Sequence, residues 1–260
     1  TPPVAGMPVY RILMAPETWD QFAGGRQRRE TRFPCTFIAS IEGPGVNERK
    51  GEVFHDASIR HRGSTSFQDA EGRYSYRLFL EGGKRYDGRD RLILSAYDSF
   101  RQKGGVDVIG MAGLPSTNAD LTRLKTPTSD DSRYLDIQVI NNDFLDDKLG
   151  SSAGRLFRGM NGADLTDHGA DPPSYLAVYL PVNRKEDRDI GSLLKLIQAL
   201  ESKDSKAYAD QVEKVLDPAE WAMYFAVNHL VGNNERSLNT GLGGDFFLAE
   251  RPSDGKYILV

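Results

Sequence analysis

The spacing of apolar residues changes its period along the chain, and this change limits the folds open to it. In the first part, short runs rich in β-branched and aromatic residues alternate with glycine and aspartate clusters, which is typical of strands and turns. These runs cover residues 9–14, 35–42, 53–62, 74–80 and 91–95. We interpret this part as antiparallel sheet.

The middle of the chain mixes the two periods. Residues 99–111 predict a helix that Gly104 and Gly105 weaken, and the polar residues 114–132, which include two prolines, predict a loop. Residues 134–140 predict a strand. A short helix should follow over 142–149, capped by Asn142 or Asn141 and ended by Gly150.

Between residues 190 and 232 the apolar spacing becomes helical. Asp217 and Pro218 should open the last helix as N-cap and first helical residue. Residues 246–248 and 257–260 predict strands. The whole pattern predicts an α+β fold in two lobes, with a β-rich part over about 1–160 and a helical part over about 161–260 of one domain.

Charge and composition exclude some classes of partner. Lys and Arg total 33 against 37 Asp and Glu, so the formal charge of −4 provides no positive field for nucleic acid. No stretch approaches 18 apolar residues, so we expect no membrane span. The single cysteine, Cys35, lies in an apolar run and is expected to be buried and inert.

Arginines cluster around a Gly- and Ser-containing turn. Residues 60–66 (RHRGSTS) and 72–77 (GRYSYR) place Arg60, Arg62 and Arg73 near one another in sequence. Charge-assisted and backbone N–H hydrogen bonds from such a cluster suit a phosphate chain. The alternative is a solvated, charged face of the sheet.

A second cluster is acidic and polar, and it lies between an apolar helix and a strand. It covers residues 232–245 and contains Asn234, Glu235, Asn239 and Asp245. Acid and amide side chains on such a loop suit a hydroxyl base and a hard-metal site. The alternative is an ordinary polar loop with caps and turns.

Other metal and nucleotide signatures are missing from the sequence. The Asp-rich residues 141–147 lack the EF-hand pattern, so helix capping is the better interpretation. The four histidines show no zinc-ligand spacing, and we assign no zinc. There is no Walker, Rossmann or Gly-x-Ser-x-Gly motif.

The order of these segments resembles the spore-coat-protein-H (CotH) kinase family. Residues 60–64 (RHRGS) and 73–77 (RYSYR) correspond to the family's Arg-x-Arg-Gly-Ser motif and its Pro-Lys-x-Ser-Tyr-Arg strand. Residues 144–165 resemble its "fL…g.LYrg…adl" region, residues 183–196 resemble the start of one of its helices, and residues 228–248 resemble its catalytic-loop region.

The resemblance implies a divergent protein-kinase-like fold that binds ATP with Mg²⁺ or Mn²⁺ and phosphorylates protein Ser or Thr. Arg73 stands where the family has its phosphate-contacting lysine, with Gln138 near the acid that orients it. Glu235, beside Asn234, falls near the catalytic aspartate. Asp245 falls near the metal-side residue, with Asn239 as a second candidate ligand. The resemblance to this family also implies a secreted protein or one at the cell or spore surface.

The sequence departs from the family pattern at two of these positions. At position 73, arginine with its planar guanidinium replaces the family's lysine with its compact ammonium. At position 235, glutamate replaces the family's aspartate, which places the carboxylate one methylene farther from the backbone. The family's Asp-x-Asp metal motif is expected after Val260, so we expect this chain to be a piece of a longer protein and to be inactive by itself. A non-catalytic pseudokinase or surface adhesion module is therefore the alternative to a kinase.

Overall fold

The computed structural model describes residues 6–24, 30–42, 51–63, 68, 72–169, 171–233, 238–241 and 243–260. These residues form helices and strands, which confirms the α+β class. The chain divides into two compact units, one of Thr1–Val106 and Thr117–Val139 and the other of Asp107–Ser116 and Ile140–Val260.

The described strands of the first unit form a closed barrel in the order β1-β2-β3-β4-β5-β7-β6. Its strands are β1 (Met7–Leu13), β2 (Phe33–Glu42), β3 (Glu52–His61), β4 (Tyr76–Leu80), β5 (Arg91–Ser95), β6 (Ala119–Thr126) and β7 (Ser129–Ile137). Neighbouring strands are antiparallel except β1 and β6, whose parallel pairing closes the barrel. The five strands predicted before residue 96 are therefore confirmed, with ends shifted by up to two residues.

The predicted loop at 114–132 is wrong, because β6 and the start of β7 occupy most of it. Ala119, Thr122 and Leu124 are buried, and the Thr122 hydroxyl donates to the Pro8 carbonyl at 2.9 Å. Thr126 pairs with Ser129, so Pro127 lies in a two-residue turn where no N–H is needed. Contacts with β1 and β7 override the polar composition of this segment.

The described residues before 114 also form two helices: α1 (Pro16–Gly24), in the first unit, and α2 (Ser99–Met111), whose residues are divided between the two units. The prediction of α2 is confirmed over its whole length, despite its two adjacent glycines. α1 was not predicted. Its Trp19 and Phe22 are buried in the apolar core that fills the barrel.

A buried ion pair lies among the polar groups of the first unit. Arg89 donates two hydrogen bonds to Asp136, both of 2.9 Å, and the Tyr10 hydroxyl donates to the same carboxylate at 2.8 Å. Burial, and then the Asp136 charge, raise the pKa of Tyr10 far above its usual value. The three groups connect β1, the turn before β5, and β7, and removing one partner would leave a buried charge unpaired.

The second unit combines helices with a four-stranded sheet of order β11-β10-β8-β9. The strands are β8 (Leu156–Gly159), β9 (Tyr179–Pro181), β10 (Phe247–Glu250) and β11 (Tyr257–Leu259). The helices are α3 (Asn142–Leu149), α4 (Pro172–Val178), α5 (Gly191–Leu200), α6 (Tyr208–Val215) and α7 (Pro218–Leu230). The part predicted as helical thus also contains sheet, of which residues 246–248 and 257–260 were expected.

Both faces of this sheet are buried, which explains the continuous apolar runs of its strands. Phe157, Leu248 and Tyr257 pack with α5, α6 and α7, whereas Ala249 and Ile258 pack against α3 on the other face. Adjacent residues of β10 and β11 therefore enter different cores, as the period of two requires.

Local capping signals were predicted correctly. The Asn141 side chain accepts a hydrogen bond from the Phe144 N–H at the start of α3, and Gly150 ends that helix with a φ of 74°. Asp217 accepts from the Ala219 and Glu220 N–H groups at the start of α7. None of the helices in the described part of the chain has the length and apolarity needed to span a bilayer.

The Cys35 thiol should resist modification in the folded protein. The side chain is buried in the barrel, and burial raises the pKa of its thiol to about 12, so almost no thiolate exists near pH 8. We expect the native chain not to react at pH 8 with a disulfide reagent that releases a coloured thiolate on reaction with a thiol. One equivalent of this thiolate should be released after unfolding in guanidinium chloride. Rapid labelling of the native chain would show that this core opens readily.

Candidate functional site

The end of β3 and the start of β4 carry the predicted arginine cluster. Arg60 lies opposite Arg77 in the strand register, and the Arg62 N–H donates to the Ser75 carbonyl at 2.9 Å, so the pairing continues past the end of β3. Arg60 also forms an ion pair of 2.8 Å with Glu30. The structure thus places Arg60 and Arg62 at one end of this strand pair.

His61 anchors these arginines by pointing the opposite way, into the core. It is only 3% exposed, stacks on Phe22 with ring centroids 4.3 Å apart, and lies 3.0 Å through Nε2 from the Phe22 carbonyl. Burial lowers the pKa of the imidazole, and the hydrogen bond to Phe22 only partly offsets this effect. The neutral ring is therefore the folded form near pH 7.

Arg73 and Gln138 lie at different levels of the barrel. The Arg73 guanidinium donates to the Arg133 carbonyl at 3.4 Å. Gln138 follows Arg133 by five residues, about 16 Å of extended chain, and its side-chain oxygen accepts from the Asn118 N–H at 3.1 Å. That oxygen is thus engaged with Asn118, at a distance from the backbone group that Arg73 contacts.

The second group of predicted residues follows α7. Asn228 is buried near the end of this helix, where its amide donates to the Tyr224 carbonyl at 2.9 Å and accepts from the Asn233 side chain at 2.8 Å. The Asn233 N–H also donates to the Asn228 carbonyl at 3.0 Å. These bonds fix the chain where it leaves the helix. Predicted residues Asn234 and Glu235 lie outside the described residues, as does the side chain of Asn239.

Asp245 is held by an unusual backbone turn just before β10. Gly243, Gly244 and Asp245 all have left-handed φ values, of 63°, 94° and 53°. A Cβ on Gly243 would lie 2.7 Å from the Ala163 carbonyl oxygen, so only glycine permits this approach. The left-handed backbone conformation is strained for Asp245, and the surrounding contacts must offset this strain. Strained residues of this kind are common at functional sites.

The loop against which these glycines pack is itself fixed by two buried tyrosines. The Tyr179 hydroxyl accepts from the Leu165 N–H at 2.7 Å, and the Tyr175 hydroxyl accepts from the His168 N–H at 3.0 Å and donates to Asp167 at 2.5 Å. Burial raises the pKa of both phenols, so both remain protonated.

Arg158, on β8, lies beside Asp245. The Asp245 N–H donates to the Gly159 carbonyl at 3.2 Å, and the Arg158 guanidinium is 3.7 Å from the Asp245 carboxylate. The side chains are 48% and 51% exposed, so both are accessible to a solute. The sequence did not identify this arginine as a site residue, because its position beside Asp245 depends on the pairing of β8 with β10.

The described residues around Asp245 fit some metals and not others. In the described ranges, no group of three or more His, Cys, Asp and Glu residues is placed to hold a metal ion. Mg²⁺ is commonly held by one or two carboxylates together with substrate phosphates and water, so one exposed carboxylate suits Mg²⁺ or Mn²⁺ that arrives with a nucleotide. A structural zinc ion would require four side-chain ligands.

An open pocket of about 570 Å³ lies at the other end of β8 and β10. Several cationic side chains line it, but acids neutralise two of them. Arg155 contacts Asp187 at 2.7 Å and Asp189 at 3.0 Å, and Arg251 contacts Glu220 at 3.0 Å and Asp254 at 2.9 Å. Arg184, Lys195 and Glu250 also line the pocket, so it carries side chains of both charges.

The model of the CotH kinase protein family matches residues 59–260, which include the end of β3, all of β4 and the Asp245 region. The chain belongs to the CotH kinase family. No curated protein matches the chain.

Because of His61, the free energy of unfolding should decrease as the pH is lowered. The unfolded state takes up a proton near pH 6.5, whereas the folded state resists protonation, so the folded state loses stability as the pH falls from about 6.5 towards the lowered pKa. The free energy of unfolding should change by at most about 1.4 kcal/mol per pH unit from this group. Urea unfolding between pH 7.5 and 5.5 should show a flatter pH dependence for His61→Gln than for the wild type. Equal slopes in the two proteins would contradict this assignment.

Gly159→Ala should destabilise the Asp245 turn. An added Cβ would lie 2.6 Å from the buried Phe246 ring, so the ring or β8 must shift. We expect a loss of about 1–3 kcal/mol in the free energy of unfolding, measured in urea. Gly105→Ala is the matched control, since nothing lies within 4 Å of its Cβ and alanine should stabilise the helix by about 0.5–1 kcal/mol. If Gly159→Ala is as stable as the wild type, the contact between position 159 and the Phe246 ring is not tight.

Proposed function

We propose that this protein is an atypical kinase that transfers the γ-phosphoryl group of ATP, bound with Mg²⁺ or Mn²⁺, to Ser or Thr of a protein substrate. The observation that carries the proposal is the exposed Asp245 carboxylate, held in a left-handed backbone conformation beside Arg158 within the segment that matches the CotH kinase family. Phosphoryl transfer needs positioned charge more than covalent chemistry, and this is what the turn provides.

The proposed roles follow the chemistry of each side chain. Arg60, Arg62 and Arg73 bind phosphate oxygens through charge-assisted hydrogen bonds, with Gln138 at the family's acid position. Asp245 and Asn239 supply oxygen ligands to the metal ion, which neutralises phosphate charge when it is bound.

At the reacting hydroxyl, the substrate oxygen forms a bond to the γ-phosphorus while the bond to the bridging oxygen of ADP breaks. Glu235 accepts the hydroxyl proton, and Asn234 lies next to it in the sequence. The acceptor protein leaves phosphorylated.

The second candidate is a non-catalytic pseudokinase or surface adhesion module. Arg73 in place of a lysine and Glu235 in place of an aspartate favour it, because both change geometry where catalysis tolerates little displacement. In either case we propose a secreted protein or one at the cell or spore surface. The formal charge of −4 argues against nucleic acid as a partner.

Metal-dependent ATP binding is the test of the kinase proposal. Calorimetry on the full-length gene product should detect ATP binding in the presence of Mn²⁺ and much weaker binding in EDTA. Asp245→Asn and Arg73→Ala should each weaken binding at least about tenfold, or 1.4 kcal/mol, because each removes a charge that contacts the metal–phosphate unit. Lys214→Ala, at an exposed lysine of α6, is the matched control and should bind as the wild type does.

Two results separate the candidates. ATP binding together with phosphate transfer to a generic Ser/Thr protein supports the kinase. A well-folded full-length protein that binds no ATP overturns it and leaves the adhesion module.

A further inference from the structure

Arg158 differs from two other arginines of its unit, Arg155 and Arg251, in how it is paired. Arg155 and Arg251 each contact two carboxylates at 2.7–3.0 Å. Within the described ranges, Arg158 has one carboxylate within ion-pair distance, that of Asp245 at 3.7 Å. Because both side chains are about half exposed, water screens this pair and it contributes little to stability.

The backbone, and not the ion pair, holds the two charges close together. Arg158 lies on β8 opposite Phe247 of β10, and the Asp245 N–H is bonded to the next residue of β8, Gly159. Phe246 packs directly on Gly159 between these two contacts. The cation and the carboxylate are therefore pre-positioned, and their remaining hydrogen-bonding capacity is directed to a solute or to water.

From this arrangement we infer that Arg158 is a further phosphate-contacting residue, which binds the polyphosphate of the nucleotide together with the metal ion at Asp245. The inference rests on the proposed function. A divalent cation bound at Asp245 without a counter-ion would be repelled by the nearby guanidinium. A phosphate oxygen between the two cations removes this repulsion and accepts hydrogen bonds from the planar guanidinium fork.

This role has a consequence that a surface ion pair does not share. Arg158 should oppose binding of the bare metal ion and favour binding of the metal with polyphosphate. Removing the guanidinium should therefore shift the two affinities in opposite directions. Loss of an ordinary surface ion pair would leave the polyphosphate affinity unchanged, and a folding defect would lower both affinities.

The experiment measures binding of Mn²⁺ alone, of inorganic tripolyphosphate with Mn²⁺, and of ATP with Mn²⁺ to the full-length gene product by calorimetry. For Arg158→Ala we expect Mn²⁺ alone to bind at least as tightly as to the wild type, and tripolyphosphate with Mn²⁺ to bind at least about tenfold more weakly. Arg158→Lys should recover part of the loss, because it restores the charge without the fork. Lys214→Ala is the control for general loss of positive charge.

The outcomes distinguish this inference from the proposed function. A tripolyphosphate affinity of Arg158→Ala within about twofold of the wild type would overturn the inference, as would an equal loss for metal and polyphosphate. If tripolyphosphate binding depends on Arg158 but ATP does not bind, Arg158 contacts phosphate but not the phosphates of a nucleotide, and the kinase proposal fails. If the wild type binds neither anion, both fail.

Discussion

The close approach of β8 to the residues before β10 is the constraint on which the candidate site depends. Gly159 leaves room for the Phe246 ring, and its carbonyl accepts the Asp245 N–H. A Cβ at position 159 would lie 2.6 Å from the Phe246 ring, so the ring or β8 would have to shift beside the turn of left-handed residues 243–245. Apolar packing on both faces of a small sheet thus stabilises a strained polar turn at its edge.

A second buried constraint maintains the barrel by a different physical means. The Arg89–Asp136 pair satisfies two charges inside the first unit, and Tyr10 uses a remaining lone pair of the carboxylate. Such a network costs desolvation energy, which apolar residues of similar volume would not. Its three hydrogen bonds link β1, the turn before β5 and β7. Arg60, one of the predicted phosphate-binding residues, lies on β3 of the same barrel.

Local signals in the sequence predicted structure well, and long-range pairings were not accessible from them. The caps at Asn141 and Asp217 depend on side chains within three residues, and both were predicted. Strand β6 was missed because its burial comes from β1, over a hundred positions earlier, and not from its own composition. Likewise Asp245 was a candidate from its loop context, whereas Arg158 became one only through the register of β8 and β10. The roles of Glu235, Asn234 and Asn239 stay predictions.

The parallel pairing of β1 with β6 also imposes an order on biogenesis. Tyr10 and its partner Asp136 are 126 positions apart, so the barrel cannot close until both ends have left the ribosome. At typical translation speeds of about 5–20 residues per second, roughly ten seconds separate the synthesis of β1 from that of β6 and β7. Until then β1 can pair with β2 but not with β6, so the backbone groups along one edge of β1 stay open to another strand.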